Sequence, residues 1–218
     1  MKGICYIVGA GSCENMQFTP TADDFTIAAD GGYASLCSQH MTPDLAVGDF
    51  DSLGYLPGNV PVLRHPPEKD DTDMMLAVAQ GFERGFEKYI LFGGLGGRLD
   101  HSLANIQTLC YISRRGGRAW LWGEGTALTA VTDGSIYFPG KCQGMFSVFS
   151  YGGDAHGVSE DGGKYGLKDA SLHFDEPMGV SNEFMGEPVN ISVEQGTLVV
   201  LFNCSARELE KMVREGYC

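Results

Sequence analysis

The sequence predicts an α/β chain: a doubly wound, mostly parallel sheet domain over residues 1–134, then a small all-β sandwich domain with a C-terminal helix over residues 135–218. Three observations carry this reading. Through about Thr132, short apolar runs alternate with segments of helical apolar spacing, the pattern of strands joined by helical crossovers. Several of those runs end in Gly and Asp clusters, as ligand loops do at the carboxyl edge of a parallel sheet. Beyond Pro139-Gly140 helical spacing becomes scarce, and short strand-like runs are parted by Gly, Asn and Asp.

Ile4-Cys5-Tyr6-Ile7-Val8 reads as a first buried strand, since a continuous apolar run suits a strand covered on both faces. Phe25 to Ala29 reads as the second, followed by a short helix from Tyr33 to His40, then Leu45-Ala46-Val47 as the third strand. Val60 to Leu63 gives a further short strand. From Thr72 to about Arg84, Met75, Val78, Ala79 and Phe82 recur at helical spacing. Lys88 to Phe92 is a strand, and Leu99, Leu103, Ile106 and Cys110 mark the apolar face of a second amphipathic helix. Ala119 to Trp122 and Ala127 to Val131 close the sheet. In the second half the strand patterns are Met145 to Phe149, Ala170 to Phe174, Val189 to Val193 and Leu198 to Phe202. A last helix begins at a capping box, Ser205 with Glu208, and presents Leu209, Met212 and Val213.

Composition narrows the function. The chain has 218 residues, 43% of them hydrophobic, and a formal charge of −13. So acidic a chain lacks the basic surface that nucleic acid or an anionic membrane demands. No apolar run is long enough to span a bilayer, and the N-terminus enters a strand-like segment without a signal-peptide layout. The seven cysteines are scattered and contain no C-x-x-C pair, which fits reduced thiols in the cytoplasm.

The chemistry concentrates in three stretches. In Gly48-Asp49-Phe50-Asp51-Ser52 two carboxylates flank a phenylalanine just past a strand, where the period of two lets both point the same way. Lys69-Asp70-Asp71-Thr72-Asp73 precedes a helix. Grouped carboxylates suit a hard cation such as Mg²⁺ held with substrate phosphates; the same residues also serve as turn and capping groups. Gly93-Gly94-Leu95-Gly96-Gly97-Arg98 has neither a Walker A ending nor the dinucleotide fingerprint. Its backbone N–H groups and Arg98 can nevertheless cradle phosphate, or the glycines can simply make a tight strand-to-helix turn.

Taken in order, Ala29-Asp30-Gly31-Gly32, the two acidic stretches, Gly93 through His101, Gly162-Gly163-Lys164-Tyr165-Gly166-Leu167 and Gly179-Val180-Ser181-Asn182-Glu183 closely resemble the thiamin pyrophosphokinase family over nearly the whole chain. The resemblance implies pyrophosphoryl transfer from ATP to thiamin by a homodimer, with thiamin bound between subunits. It assigns Asp49, Asp51 and Asp73 to Mg²⁺ and catalysis, with Asp100 completing the polar site. It gives Asp30, Gly31, Lys69, Asp70, Gly94, Gly96, Gly97 and Arg98 to nucleotide, and Tyr165, Ser181 and Asn182 to thiamin. His101 and Asn105, one turn apart, are open between a site role and packing. Two other classes share parts of this pattern: a Mg²⁺-dependent phosphohydrolase using water as nucleophile, and a non-catalytic nucleotide- or thiamin-sensing module.

Overall fold

The computed structural model describes residues 3–51, 53–65 and 71–217. The chain divides into two compact units, Met1–Thr108 with Ala119–Glu124, and Leu109–Arg118 with Gly125–Cys218.

The first unit is built on parallel strands. In chain order it contains β1 (Cys5–Val8), β2 (Phe25–Ala29), α1 (Gly32–Ser38), β3 (Leu45–Gly48), β4 (Val62–Arg64), α2 (Asp73–Glu83), β5 (Lys88–Phe92), the start of α3 (Leu99–Ser113) and most of β6 (Arg118–Gly123). Across the sheet the order is β6-β5-β1-β2-β3-β4. β1 runs parallel to β2 and to β5, β2 to β3, and β3 to β4. Every residue of β1 is buried, which is why its sequence is continuously apolar rather than alternating. Two aspartates are spent on holding strands: Asp24 accepts from the Ile4 N–H at 2.6 Å, and Asp44 from that of Thr26 at 2.8 Å. Phe18 stacks between Tyr6 and Phe92, with ring centroids 4.4 and 5.0 Å away.

Both long helices bury a different stripe from the one their apolar spacing suggests. α2 buries Met74, Ala77, Val78 and Gly81, one residue round from the expected Met75-Val78-Ala79-Phe82 set. Gly81 decides the rotation. A β-carbon there would stand 2.5 Å from the Tyr89 ring and 3.1 Å from Cys5 Sγ, so the helix lies against the sheet where it has no side chain. In α3 the expected Leu99 and Leu103 are exposed, and the buried positions are Asn105, Thr108, Leu109, Cys110 and Ile112. β4 starts two residues later than its apolar run and ends one residue beyond it, because pairing to β3 places Ala46 opposite Val62.

The second unit holds β7 (Thr126–Thr132), β8 (Ser135–Phe138), β9 (Met145–Ser150), β10 (Ala155–Asp161), β11 (Leu167–Leu172), β12 (Asn182–Glu183), β13 (Val189–Ser192), β14 (Thr197–Asn203) and α4 (Ala206–Glu215). They form two antiparallel layers, β12-β9-β14-β7 and β11-β10-β13-β8. Phe138 from one layer meets Phe202 from the other at 4.9 Å, and Phe184 lies against both Phe138 and Phe146. β7 pairs along its whole length with β14 and is carried with this unit, so the division of the chain does not coincide with a cut after residue 134. The capping box that opens α4 forms as its sequence indicates, with Leu209, Met212 and Val213 buried. β8, β10 and β12 are additional to the four strand runs legible in the second half.

Candidate functional site

In the first unit β1, β2, β3 and β5 point the same way, so the loops that follow them emerge at one edge of the sheet. β2 ends at Asp30, whose N–H donates to the Val47 carbonyl at 2.8 Å. This bond lays the Asp30 loop beside the one that leaves β3. There Phe50 is buried at φ 60°, a conformation that folds the chain inward between Asp49 and Asp51. The Asp51 N–H donates to Asp49 Oδ1 at 3.1 Å and closes the turn.

Asp30, Asp49 and Asp51 are thereby gathered, each offering a carboxylate oxygen within 4.8 Å of the others. At that spacing each pair repels by about 0.9 kcal/mol in bulk water and about 3.5 kcal/mol at an effective dielectric near 20. Asp51 is exposed and the other two are half-buried, so the true cost lies nearer the lower figure. Three hard oxygen donors of one sign fit a divalent cation of the Mg²⁺ or Ca²⁺ type, which turns the repulsion into ligation. Asp73, grouped with Asp49 and Asp51 in the sequence reading, occupies the first turn of α2 behind its Thr72 cap and is not among these three.

β5 ends in the glycine loop. Gly93 adopts φ 65°, and Gly94 packs so closely that a β-carbon would stand 2.7 Å from Leu121 Cδ1 and 2.9 Å from Asn105 Nδ2. The buried Asn105 donates that nitrogen to the Gly94 carbonyl at 2.9 Å. Its place on α3 is therefore explained by holding the loop. Arg98 and Asp100 are both exposed and form a forked pair at 2.6 and 3.2 Å. The Arg98 hydrogen bond holds the Asp100 carboxyl below the usual carboxylate range, and Asp100 in turn raises Arg98. Asp100 also accepts from the His101 N–H at 3.0 Å, while the His101 side chain is exposed. Gly31 stands as the residue before α1. Ser52, Lys69 and Asp70 lie outside the described residues.

Two further segments border this edge. The loop after β1 is stitched to the glycine loop, the Gly9 N–H donating to the Phe92 carbonyl at 2.8 Å and that of Gly11 to Gly93 at 2.9 Å. Its signal was present, as Gly9-Ala10-Gly11-Ser12 follows the first apolar run. The His65 N–H donates to the Gly48 carbonyl at 3.0 Å and sets the end of β4 beside the Asp49 turn; no local pattern announces that contact.

In the second unit, Tyr165, Ser181 and Asn182 come from two adjoining segments. Tyr165 is 62% exposed, with Lys164 Nζ 5.7 Å from its ring centroid. Ser181 is exposed at φ 62°, its N–H donating to Ser147 Oγ at 3.0 Å. Asn182 differs. It is 5% exposed, and its amide oxygen accepts from the N–H groups of Tyr165 and Glu183 at 3.0 and 2.9 Å. Its nitrogen donates to the Tyr165 carbonyl at 2.7 Å and to Glu160 Oε2 at 3.0 Å. Those four bonds use both hydrogens and both lone pairs of the amide, three of them on the backbone of Tyr165 and Glu183 and one on the Glu160 side chain.

A parallel sheet with three carboxylates and a glycine–arginine loop at its carboxyl edge, followed in the same chain by a β-sandwich, has the equipment of a metal-assisted phosphate-transfer enzyme. Two family models match in sequence, "Thiamin pyrophosphokinase, catalytic domain" over residues 19–121 and "Thiamin pyrophosphokinase, vitamin B1 binding domain" over residues 135–198. The chain belongs to the thiamin pyrophosphokinase family. It is 26% identical over 210 residues to the thiamine pyrophosphokinase of Bacillus subtilis (strain 168), covering 92% of this chain and 98% of that one. The crystal structure of thiamine pyrophosphokinase from Bacillus subtilis matches with a TM-score of 0.83 at 23% identity, covering 93% of this chain and 99% of that one. That of Geobacillus thermodenitrificans gives 0.79 at 25% identity, covering 92% and 97%. The yeast thiamin pyrophosphokinase shares the fold at only 13% identity, with a TM-score of 0.73 over 96% of this chain and 89% of that one.

Proposed function

We propose that this chain transfers pyrophosphate from ATP to the hydroxyl of thiamin, giving thiamin diphosphate and AMP with Mg²⁺ as the metal. The observation that carries the reading is the carboxylate trio Asp30, Asp49 and Asp51 at the strand ends of a chain whose two halves match the family's catalytic and vitamin-binding models in order. In the reaction the thiamin hydroxyl oxygen forms a bond to the β-phosphorus. The bond from that phosphorus to the bridging oxygen of the α-phosphate breaks, AMP leaves with that oxygen, and the hydroxyl proton passes to solvent. Such a transfer asks for alignment and charge neutralisation rather than a protein nucleophile.

Asp30, Asp49 and Asp51 would hold Mg²⁺, which supplies charge neutralisation to the phosphates. Asp73 as a further ligand, and Lys69, Asp70 and Gly31 on the nucleotide, rest on the family resemblance. Arg98 would exchange Asp100 for phosphate, a forked partner of the same geometry, while Gly94, Gly96 and Gly97 bring backbone N–H groups close. Tyr165 would offer its ring to the aminopyrimidine and thiazolium of thiamin, with Ser181 beside it. Exposed Met145, Val180 and Met185 on the same unit favour the homodimer. The cysteine pattern favours the cytoplasm, and among the described residues no helix is long and apolar enough to cross a membrane.

The test is product identification after incubation with ATP, Mg²⁺ and thiamin. AMP and thiamin diphosphate are expected, with activity lost in EDTA. ADP with thiamin monophosphate would overturn pyrophosphoryl transfer, and thiamin-independent phosphate release would indicate a hydrolase.

A further inference from the structure

β10 carries a buried carboxyl that the proposed reaction does not use. Glu160 is 3% exposed, its neighbours across the layer are Leu167 and Ile191, and burial raises its pKa above the ordinary carboxylate value while the Asn182 bond opposes the rise. Among the described residues its Oε1 has no hydrogen-bond partner. A carboxyl so placed is unfavourable for stability, and an apolar side chain would suit the position better. Its Oε2 accepts from Asn182 Nδ2 at 3.0 Å.

Asn182 is the clamp on the loop that presents Tyr165. It holds the Tyr165 N–H and carbonyl together, while Lys164 is tied to Glu183 by a backbone bond of 3.0 Å and an ion pair of 2.9 Å. The loop leaves no slack beneath. A β-carbon at Gly163 would stand 2.9 Å from both Asn182 Nδ2 and the Phe146 ring, and one at Gly162 would lie closer still to the Pro188 carbonyl oxygen. A flipped amide would set Nδ2 against the Tyr165 and Glu183 N–H groups and Oδ1 against the Tyr165 carbonyl, so the backbone and the Glu160 carboxyl select one and the same orientation, and Glu160 is its side-chain anchor.

We propose that Glu160 is a positioning residue for the thiamin subsite, fixing through Asn182 the backbone of Tyr165 and hence the ring offered to ligand. The inference rests on the thiamin reading given above and adds a residue to it. Oε2 accepts from Asn182 whether the carboxyl is charged or neutral, so Gln is the conservative replacement and Met the disruptive one of similar length. Losing the acceptor leaves Asn182 Nδ2 half-satisfied in a buried site, which is expected to raise KM for thiamin about five- to tenfold.

The experiment is steady-state kinetics on wild type, Glu160→Met and Glu160→Gln, varying thiamin and ATP separately. The expected result for Glu160→Met is a raised KM for thiamin, with kcat at saturating thiamin and KM for ATP within twofold of wild type. Glu160→Gln is expected to recover most of the thiamin affinity. Unchanged KM for thiamin in Glu160→Met, equal losses for both substrates, or Gln as impaired as Met would overturn the proposal. Should Glu160→Met fail to fold, Glu160→Asp, one methylene too short to reach Asn182, takes its place, and Asp matching Gln would overturn it. Wild type that makes no thiamin diphosphate would instead remove the underlying assignment.

Discussion

Replacing Asp51 by Asn separates a structural account of the carboxylate trio from a metal-binding one, because the two predict opposite signs for stability. Asp51 repels Asp30 and Asp49, with carboxylate oxygens within 4.8 Å of each other. In water the two pairs cost about 1.7 kcal/mol, reduced to about 1 kcal/mol by salt at physiological strength. Asn keeps the shape and the turn, since the bond within it runs from the Asp51 N–H to Asp49. In EDTA, Asp51→Asn should therefore melt about 2–4 °C above wild type. Adding Mg²⁺ should raise the melting temperature of wild type and leave the variant almost unmoved, as one of three charged ligands is gone. Thiamin diphosphate formation by the variant should fall at least a hundredfold. Calorimetry in EDTA and in Mg²⁺, together with product assay, reads all three quantities. A variant that melts at or below wild type in EDTA yet keeps its Mg²⁺ response and turnover would refute the reasoning.

Other parts of the structure carry predictions of their own. Tyr165→Ala should weaken thiamin binding roughly tenfold, since ring stacking and cation–π attraction are each worth about 0.5–1.5 kcal/mol; ATP affinity should be unaffected, and paired titrations in which both ligands weaken alike would make Tyr165 a structural residue. Gly94→Ala forces a methyl against Leu121 and Asn105 and should cost about 1–3 kcal/mol in urea unfolding while raising KM for ATP; a variant of wild-type stability would mean that the loop relaxes freely. The Asp154–His173 pair, 2.8 Å apart, raises the His173 pKa above 6.5 and lowers that of Asp154 below 3.8. The His173 contribution is full below 6.5 and is lost as pH rises through its higher folded value. That of Asp154 is present above 3.8 and is lost as pH falls through its lower one. His173→Gln should thus flatten the fall in melting temperature as pH rises above about 6.5, and an identical slope in wild type and variant would disprove the coupling.

The amino-acid sequence by itself determined those features whose physical cause is local. Continuous apolar runs announce strands covered on both faces, and β2 and β5 fall where their runs do, at Phe25–Ala29 and Lys88–Phe92. The Ser205–Glu208 box fixes the start of α4, and Thr72 that of α2, because a cap is satisfied within one turn of chain. The acidic and glycine clusters were visible as ligand loops, and their order along the chain already carried the family resemblance. Tertiary structure alone decided which of them meet. Asp30 joins Asp49 and Asp51 because the sheet places β2 next to β3, a neighbour relation that no spacing encodes. The buried stripe of α2 follows the close approach at Gly81, and that of α3 follows the hook from Asn105 to Gly94. β10 hid for a different reason. Its inward side chains include Glu160, and a polar residue announces burial only once its partner, Asn182, has been brought to it by the fold.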